Sequence, residues 1–267
     1  MTPLVLVDEP AQHVKRLTLN RPDQLNAITA DLNEALRAEL GTIAAERGCR
    51  AVLLTGAGRG FCAGLDLHGY GDSPGNDGTD EARDRLSNQE HMSRLILAIR
   101  ALPQPLIAAV NGPAAGFGLA LALGCDIRYA SDSAVFRAAF INIGVSNCDM
   151  GTSWLLPRLI GASRAWELML TGRIVDAGEA DRIGLVLRVV PDEELLEAAL
   201  ETAGHIAANS PWGIRMTKEV MWSQLEIGSL QAGIDLENRT QVLSSMTADM
   251  QEAVSAFLEK RPPHFGT

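Results

Sequence analysis

Two glycine-bearing stretches carry the residues best suited to chemistry, Phe61-Cys-Ala-Gly-Leu-Asp66 and Asn111-Gly-Pro-Ala-Ala-Gly-Phe-Gly118. Each comes after an apolar run, Ala51–Thr55 and Leu106–Val110, and is read as the turn leaving a buried strand. Small residues at Ala63-Gly64 and Gly116-x-Gly118 allow the backbone to approach a ligand closely. Backbone N–H groups aimed from such turns at a carbonyl oxygen would stabilise the negative charge that develops there in acyl chemistry. The second turn also opens a helix, whose positive end would face the same oxygen. Taken singly, either turn serves equally well as a plain connection.

Ile143-Gly-Val-Ser-Asn-Cys-Asp-Met-Gly-Thr-Ser153 contains Cys148 and Asp149. On residue type alone Asp149 suits a turn or N-cap position before a helix over Thr152–Leu159. With no histidine nearby in sequence to lower its pKa, Cys148 reads as a small, partly buried side chain. His68 reads as a surface-loop residue close to the first turn, His91 as a helical residue facing core or pocket, and Glu237 and Arg239 as ion-pairing or interface groups. Gly56-Ala-Gly-Arg-Gly60 follows a strand but opens no amphipathic helix, so it fails the dinucleotide-binding pattern. A serine hydrolase is disfavoured because there is no G-x-S-x-G turn.

The elements that must hold these residues alternate over the first two-thirds of the chain. Strands are expected at Val14–Leu19, Ala51–Thr55, Leu106–Val110 and Ile127–Ala130. Helices are expected at Thr29–Glu46, with Thr29 as cap and Leu32, Leu36, Leu40 and Ile43 on one face, and at Gly116–Leu123. Gly69–Thr79 is the most loop-like stretch, followed by a helix to about Ala101 that Pro103 and Pro105 end. Beyond Trp154 the pattern is helical, with one short strand at Val186–Val190. The fold class is therefore α/β, repeated β–β–α turns with a helical tail, which we divide into a core over 1–200 and a C-terminal helical region over 201–267.

Composition narrows the partners. A chain of 267 residues with formal charge −10 does not suit nucleic acid, whose phosphates need a basic face. No apolar run reaches the length of a membrane helix, and the N-terminus lacks a signal-peptide pattern. Cys49, Cys62, Cys125 and Cys148 have neither disulfide-framework nor zinc spacing and read as the reduced thiols of a cytoplasmic protein.

Nearly the whole chain resembles the crotonase (enoyl-CoA hydratase/isomerase) superfamily. Leu19-Asn-Arg-Pro-Asp-Gln-Leu-Asn-Ala27, Leu53–Leu67, Pro105–Gly112 with Gly-Phe-Gly118, Cys125–Ser131, Leu170–Arg173 with Ala177–Gly184, and Ala256–Arg261 match its segments in order. The resemblance implies a spiral of ββα units and an acyl-CoA substrate whose thioester enolate is held in an oxyanion hole by the N–H groups of Ala63 and Phe117. It also implies substrate contacts from Gly64, Asp66, Leu67, Gly116 and Phe140, backbone near Asn26 and Ala27 that helps hold the nucleotide end of coenzyme A, and Phe257 and Lys260 near coenzyme A, often across a subunit boundary. Neither metal nor redox cofactor is implied; coenzyme A enters with the substrate, and a homotrimer or dimer of trimers is expected.

Where the family's hydratases carry two glutamates, residue-by-residue matching falls on Ala120 and Phe140. Some relatives instead place an aspartate downstream. Counting forward from Cys125 puts Cys148 there, and counting back from Arg158 and Gly161 puts Asp149 there; Asp149 is taken, since a carboxylate has a role at that position. An Asp149-dependent reaction, such as a proton shift, is thus expected ahead of ordinary hydration. A non-catalytic acyl-CoA-binding homologue is the alternative. Phe117 and Phe140 are expected to make the pocket narrow and apolar, unless either ring turns into the core.

Overall fold

The computed structural model describes residues 2–68 and 81–266; the loop expected at Gly69–Thr79 lies outside them. Ala51–Gly56 and Leu106–Val110 are buried at every position, as strands covered on both faces must be. They form β3 and β4 at the middle of a six-stranded sheet of order β1-β2-β3-β4-β6-β9. Its other members are β1 (Val5–Ala11), β2 (Val14–Leu19), β6 (Ile127–Ser131) and β9 (Arg188–Val190). Only β1 runs antiparallel to its neighbour. A smaller sheet, β5 (Ala114–Ala115), β7 (Val135–Arg137) and β8 (Ile174–Asp176), lies beside the second turn.

Helices return the chain between the parallel strands. α1 (Ala30–Ala45) is capped by Thr29, whose hydroxyl accepts from Leu32 N–H, and buries Leu32, Leu36, Leu40 and Ile43. α2 (Glu81–Ala101) buries Met92, Leu95, Ile96 and Ile99, and α3 (Phe117–Gly124) is buried along its whole length. These three pack on one face of the sheet to form the larger core. α4 (Thr152–Ile160), α5 (Ala162–Thr171) and α6 (Ala177–Arg182) follow.

The other face is covered by α7 (Leu195–Ala207), which sets Leu195, Ala199, Ala203 and Ala207 against Val14, Ala51, Leu53, Ile107 and Ala109. The i, i+4 spacing of small side chains brings this helix close to the sheet. α7 runs through residue 200 as part of the core, and α8 (Pro211–Gln224) follows it. α9 (Leu230–Ser245) and α10 (Ala248–Glu259) complete the tail, which presents Leu230, Phe257 and Leu258 to solvent. α8 is tied to the core where Lys218 Nζ meets Asp126 Oδ2 at 2.8 Å and Trp222 Nε1 donates to Asp126 Oδ1 at 2.8 Å.

Strands β1, β5, β7 and β8 were not among the expected elements. The last three are only two or three residues long, too short for a period-two signal to develop. Asp149 does not cap α4: Gly151 holds the N-cap position at φ 75°, and it is the Asp149 carbonyl that accepts from Thr152 N–H, at 2.8 Å. Among the described residues no helix is long and apolar enough to cross a membrane.

Candidate active site

The two turns are laced together. Cys62 N–H donates to Pro113 O at 3.0 Å and Ala115 N–H returns a bond to Cys62 O at 3.1 Å. A Cβ on Gly118 would stand 1.9 Å from the Cys62 carbonyl oxygen, so only glycine lets the start of α3 sit this close to the first turn. Gly64 adopts φ +111°, and a Cβ there would come within 2.9 Å of Ala115 O and 3.8 Å of the Phe117 nitrogen.

Which N–H groups are free follows from a third segment. Ile28 forms an isolated parallel bridge with Leu65, donating to Gly64 O at 2.7 Å and accepting from Asp66 N–H at 2.9 Å. In such a bridge the central residue of the opposite strand turns its own N–H the other way. Leu65 N–H accordingly has no partner among the described residues, whereas Ala63 N–H donates to Leu25 O at 2.9 Å. The expectation for Ala63 is corrected on this ground: its proton is already engaged, and Leu65 presents the unused one. Phe117 N–H, at the first position of α3, is also without a partner among the described residues. Two unpaired donors on adjoining turns can polarise a carbonyl oxygen set between them.

They open on a cavity of about 640 Å³ whose wall includes Leu67, Met92, Phe140, Ile143, Val145 and Asp149. The Phe117 residue is completely buried in the larger core, whereas Phe140, 7% exposed, packs beside Gly116 at the cavity wall. Asp149 is half-buried. Its Oδ1 accepts from Met150 N–H at 2.7 Å and from Gln89 Nε2 in a short hydrogen bond; Oδ2 has no partner among the described residues. Burial pushes the Asp149 carboxyl above its usual range, while those two donors pull the other way. Cys148 is exposed and is not part of the cavity wall.

Two other carboxylates line the cavity among the described residues. Asp66 is held by Arg21 Nη2 at 2.9 Å and by His68 N–H at 3.1 Å, and the guanidinium holds its carboxyl below the usual range. Asp31 is exposed in the first turn of α1. The His68 side chain is fully exposed at the rim, and His91 faces Glu34 at 3.5 Å, outside this cavity. Glu237 accepts from Gln224 within the tail, and Arg239 belongs to α9. Among the described residues no three His, Cys, Asp or Glu side chains gather as a metal site.

The residues expected at the nucleotide end are less alike. Asn26 is fully buried, and its side chain bonds Arg21 N–H, Ala57 O and Gly60 O, at 2.8, 2.9 and 2.7 Å. These bonds hold the loop, in which the Ala27 carbonyl accepts from the Arg21 guanidinium. Phe257, 83% exposed, and Lys260 lie in the tail and line no part of the cavity. Leu65 and Gln89 were missed from sequence: the first depends on pairing with Ile28, the second on a contact spanning sixty residues. A larger cavity, about 830 Å³, lies between α8 and the core, but neither turn reaches it and its Lys218 and Asp126 pair with each other.

The chain has relatives in sequence and fold. A family model described as enoyl-CoA hydratase/isomerase matches residues 9–267. A Mycobacterium tuberculosis protein named "Probable enoyl-CoA hydratase EchA12" is 47% identical over 263 residues, 98% of this chain and 92% of that one. The 1,2-epoxyphenylacetyl-CoA isomerase of Escherichia coli is 40% identical over 252 residues, 94% of each. A crystal structure from Mycobacterium abscessus, titled a probable enoyl-CoA hydratase/isomerase, superposes with a TM-score of 0.92 at 44% identity, covering 98% of both chains. With fold and sequence shared over nearly its full length, the chain belongs to the enoyl-CoA hydratase/isomerase family and is an enzyme of that family.

Proposed function

We propose that this enzyme is an acyl-CoA isomerase that moves a proton between carbons of an enoyl thioester, with Asp149 as its single acid–base group. The thioester oxygen lies between Leu65 N–H and Phe117 N–H, which stabilise the enolate formed when a proton leaves carbon. Asp149 Oδ2 takes that proton and returns it to a different carbon of the same substrate. The observation that carries this reading is the set of carboxylates around the cavity among the described residues. Asp149 keeps one bare oxygen in a half-buried setting, Asp66 is occupied by Arg21, and Asp31 stands in solvent. Adding water calls for one group to take a proton and another to give one. Moving a proton within one substrate needs only one group that does both. Ala120 and Phe140, in place of the glutamates of the hydratases, support the same choice, as does the isomerase named among the relatives.

The bound acyl group is uncharged and apolar, because Met92, Phe140, Ile143 and Val145 would strip water from a charged one. Exposed Phe257 and Leu258 support burial of the tail between copies in a homotrimer or dimer of trimers, with Lys260 and coenzyme A at that boundary. The test is conversion of 3-enoyl-CoA thioesters to the conjugated 2-enoyl isomers by wild type and Asp149→Asn. Turnover by wild type alone is expected. Hydration of 2-enoyl-CoA without isomerisation would establish the hydratase instead, and thioester binding without any turnover would identify a binding protein.

A further inference from the structure

We infer that Gln89 is a positioning residue that selects Oδ2 of Asp149 as the working oxygen of the site. This rests on the reading of Asp149 as the acid–base group. Gln89 belongs to α2, and Asp149 precedes α4. Both line the cavity, and the Gln89 amide reaches Asp149 Oδ1, the same oxygen that Met150 N–H holds at 2.7 Å.

Two donors on one oxygen leave the other without a partner among the described residues, and so open to take a proton from substrate. The Met150 N–H alone would not achieve this. It belongs to the next residue of the same loop, and the carboxylate torsion is soft, so either oxygen could turn inward. A donor on another helix removes that freedom by adding an anchor outside the loop. It also acts on charge: a donor to the carboxylate favours the ionised form, opposing the burial that favours the neutral one. Without Gln89, Asp149 would hold its proton to higher pH and present no fixed oxygen to carbon. Loss of geometry and loss of ionisation would both fall on kcat, since Gln89 is placed to touch the base rather than the coenzyme.

The test uses the full chain labelled with [γ-¹³C]aspartate, the Asp149 resonance being assigned by its absence in Asp149→Asn. Gln89→Met keeps the length of the side chain and removes the donor. The expected result is a titration midpoint for Asp149 higher by roughly one to two pH units. With 3-hexenoyl-CoA as probe, kcat falls at least roughly ten-fold, with KM little changed and the acid limb of the kcat profile moved upward. Gln89→Glu serves as the second variant: a carboxyl beside Asp149 should give two coupled midpoints, one of them raised further. An Asp149 midpoint unmoved by either substitution overturns the role of Gln89. Full turnover by Asp149→Asn overturns the reading of Asp149 instead, and the two failures are distinguishable because the titration needs no substrate.

Discussion

Gly64 lies directly against the main-chain nitrogen of Phe117: a Cβ on Gly64 would stand 3.8 Å from that nitrogen and 2.9 Å from the Ala115 carbonyl oxygen. The spacing between the two free donors is therefore set by the absence of a side chain at Gly64. Gly64→Ala should lower kcat by about a hundred-fold, the scale of losing one such donor, because the Ala115–Phe117 backbone must retreat. Residue 64 would also be strained at φ +111°. Steady-state kinetics on a 3-enoyl-CoA decides the matter; a kcat within two-fold of wild type would show that the spacing is unimportant.

Gly118 makes the complementary case for stability. Alanine is the better helix former by about 1 kcal/mol, so an exposed glycine in a helix would gain from Gly118→Ala. Here the added Cβ would meet the Cys62 carbonyl oxygen at 1.9 Å. A loss of at least about 2 kcal/mol is expected instead, from forcing α3 off the first turn. Denaturant unfolding measures it, and a midpoint equal to wild type or higher would contradict the packing described.

Asp149 couples activity to pH with a definite sign. Its carboxyl is pushed up by burial and must be ionised to accept a proton. Isomerase kcat/KM should therefore fall with acid at a pH above the ordinary carboxylate range. For folding, an acid whose pKa is raised in the native state adds stability below its unfolded pKa and loses it as pH rises through the folded value. At neutral pH the charged Asp149 thus costs stability. Asp149→Asn should be inactive yet melt no lower than wild type at pH 7, with the comparison shifting toward wild type in acid. Thermal melts across pH test this, and a variant markedly less stable at neutral pH would refute the burial argument.

Lys218 joins the tail to the core through a small, nearly buried network. Its ammonium reaches Asp126 Oδ2 and Gln104 O, at 2.8 and 2.9 Å, and Trp222 donates to the other Asp126 oxygen. Lys218→Met keeps the apolar stem but leaves the half-buried Asp126 carboxylate with only neutral donors. About 3 kcal/mol of stability should be lost, accompanied by a change in Trp222 fluorescence as α8 loosens. A double substitution, Lys218→Met with Asp126→Asn, should recover part of the loss, and no recovery would mean that the charge pair is not its source.

The strands β2, β3, β4 and β6, the Thr29-capped helix α1 and the two glycine turns were all legible in the amino-acid sequence. Each is a local matter: a run of apolar residues, a capping hydroxyl, or a glycine where backbone must pass close. The short strand β8 was not legible, because three residues contain too little pattern to distinguish them from the helices around them. Nor was the extent of the core, since α7 belongs to it through packing on the sheet rather than through any change in composition.

The site divides along the same line. Sequence by itself determined the family, the two turns and the presence of an aspartate near residue 149. Tertiary structure decided which atoms are available. The bridge to Ile28 leaves Leu65 rather than Ala63 with an N–H unpartnered among the described residues, because hydrogen-bond direction along extended backbone alternates with every residue. The turn before α4 sends Cys148 outward and sets Asp149 in the cavity wall, where Gln89 from α2 and Met150 from the turn itself leave it one oxygen without a partner among the described residues. A donor is free, or a carboxylate buried, only relative to partners that are distant in sequence. Only the folded chain supplies those partners.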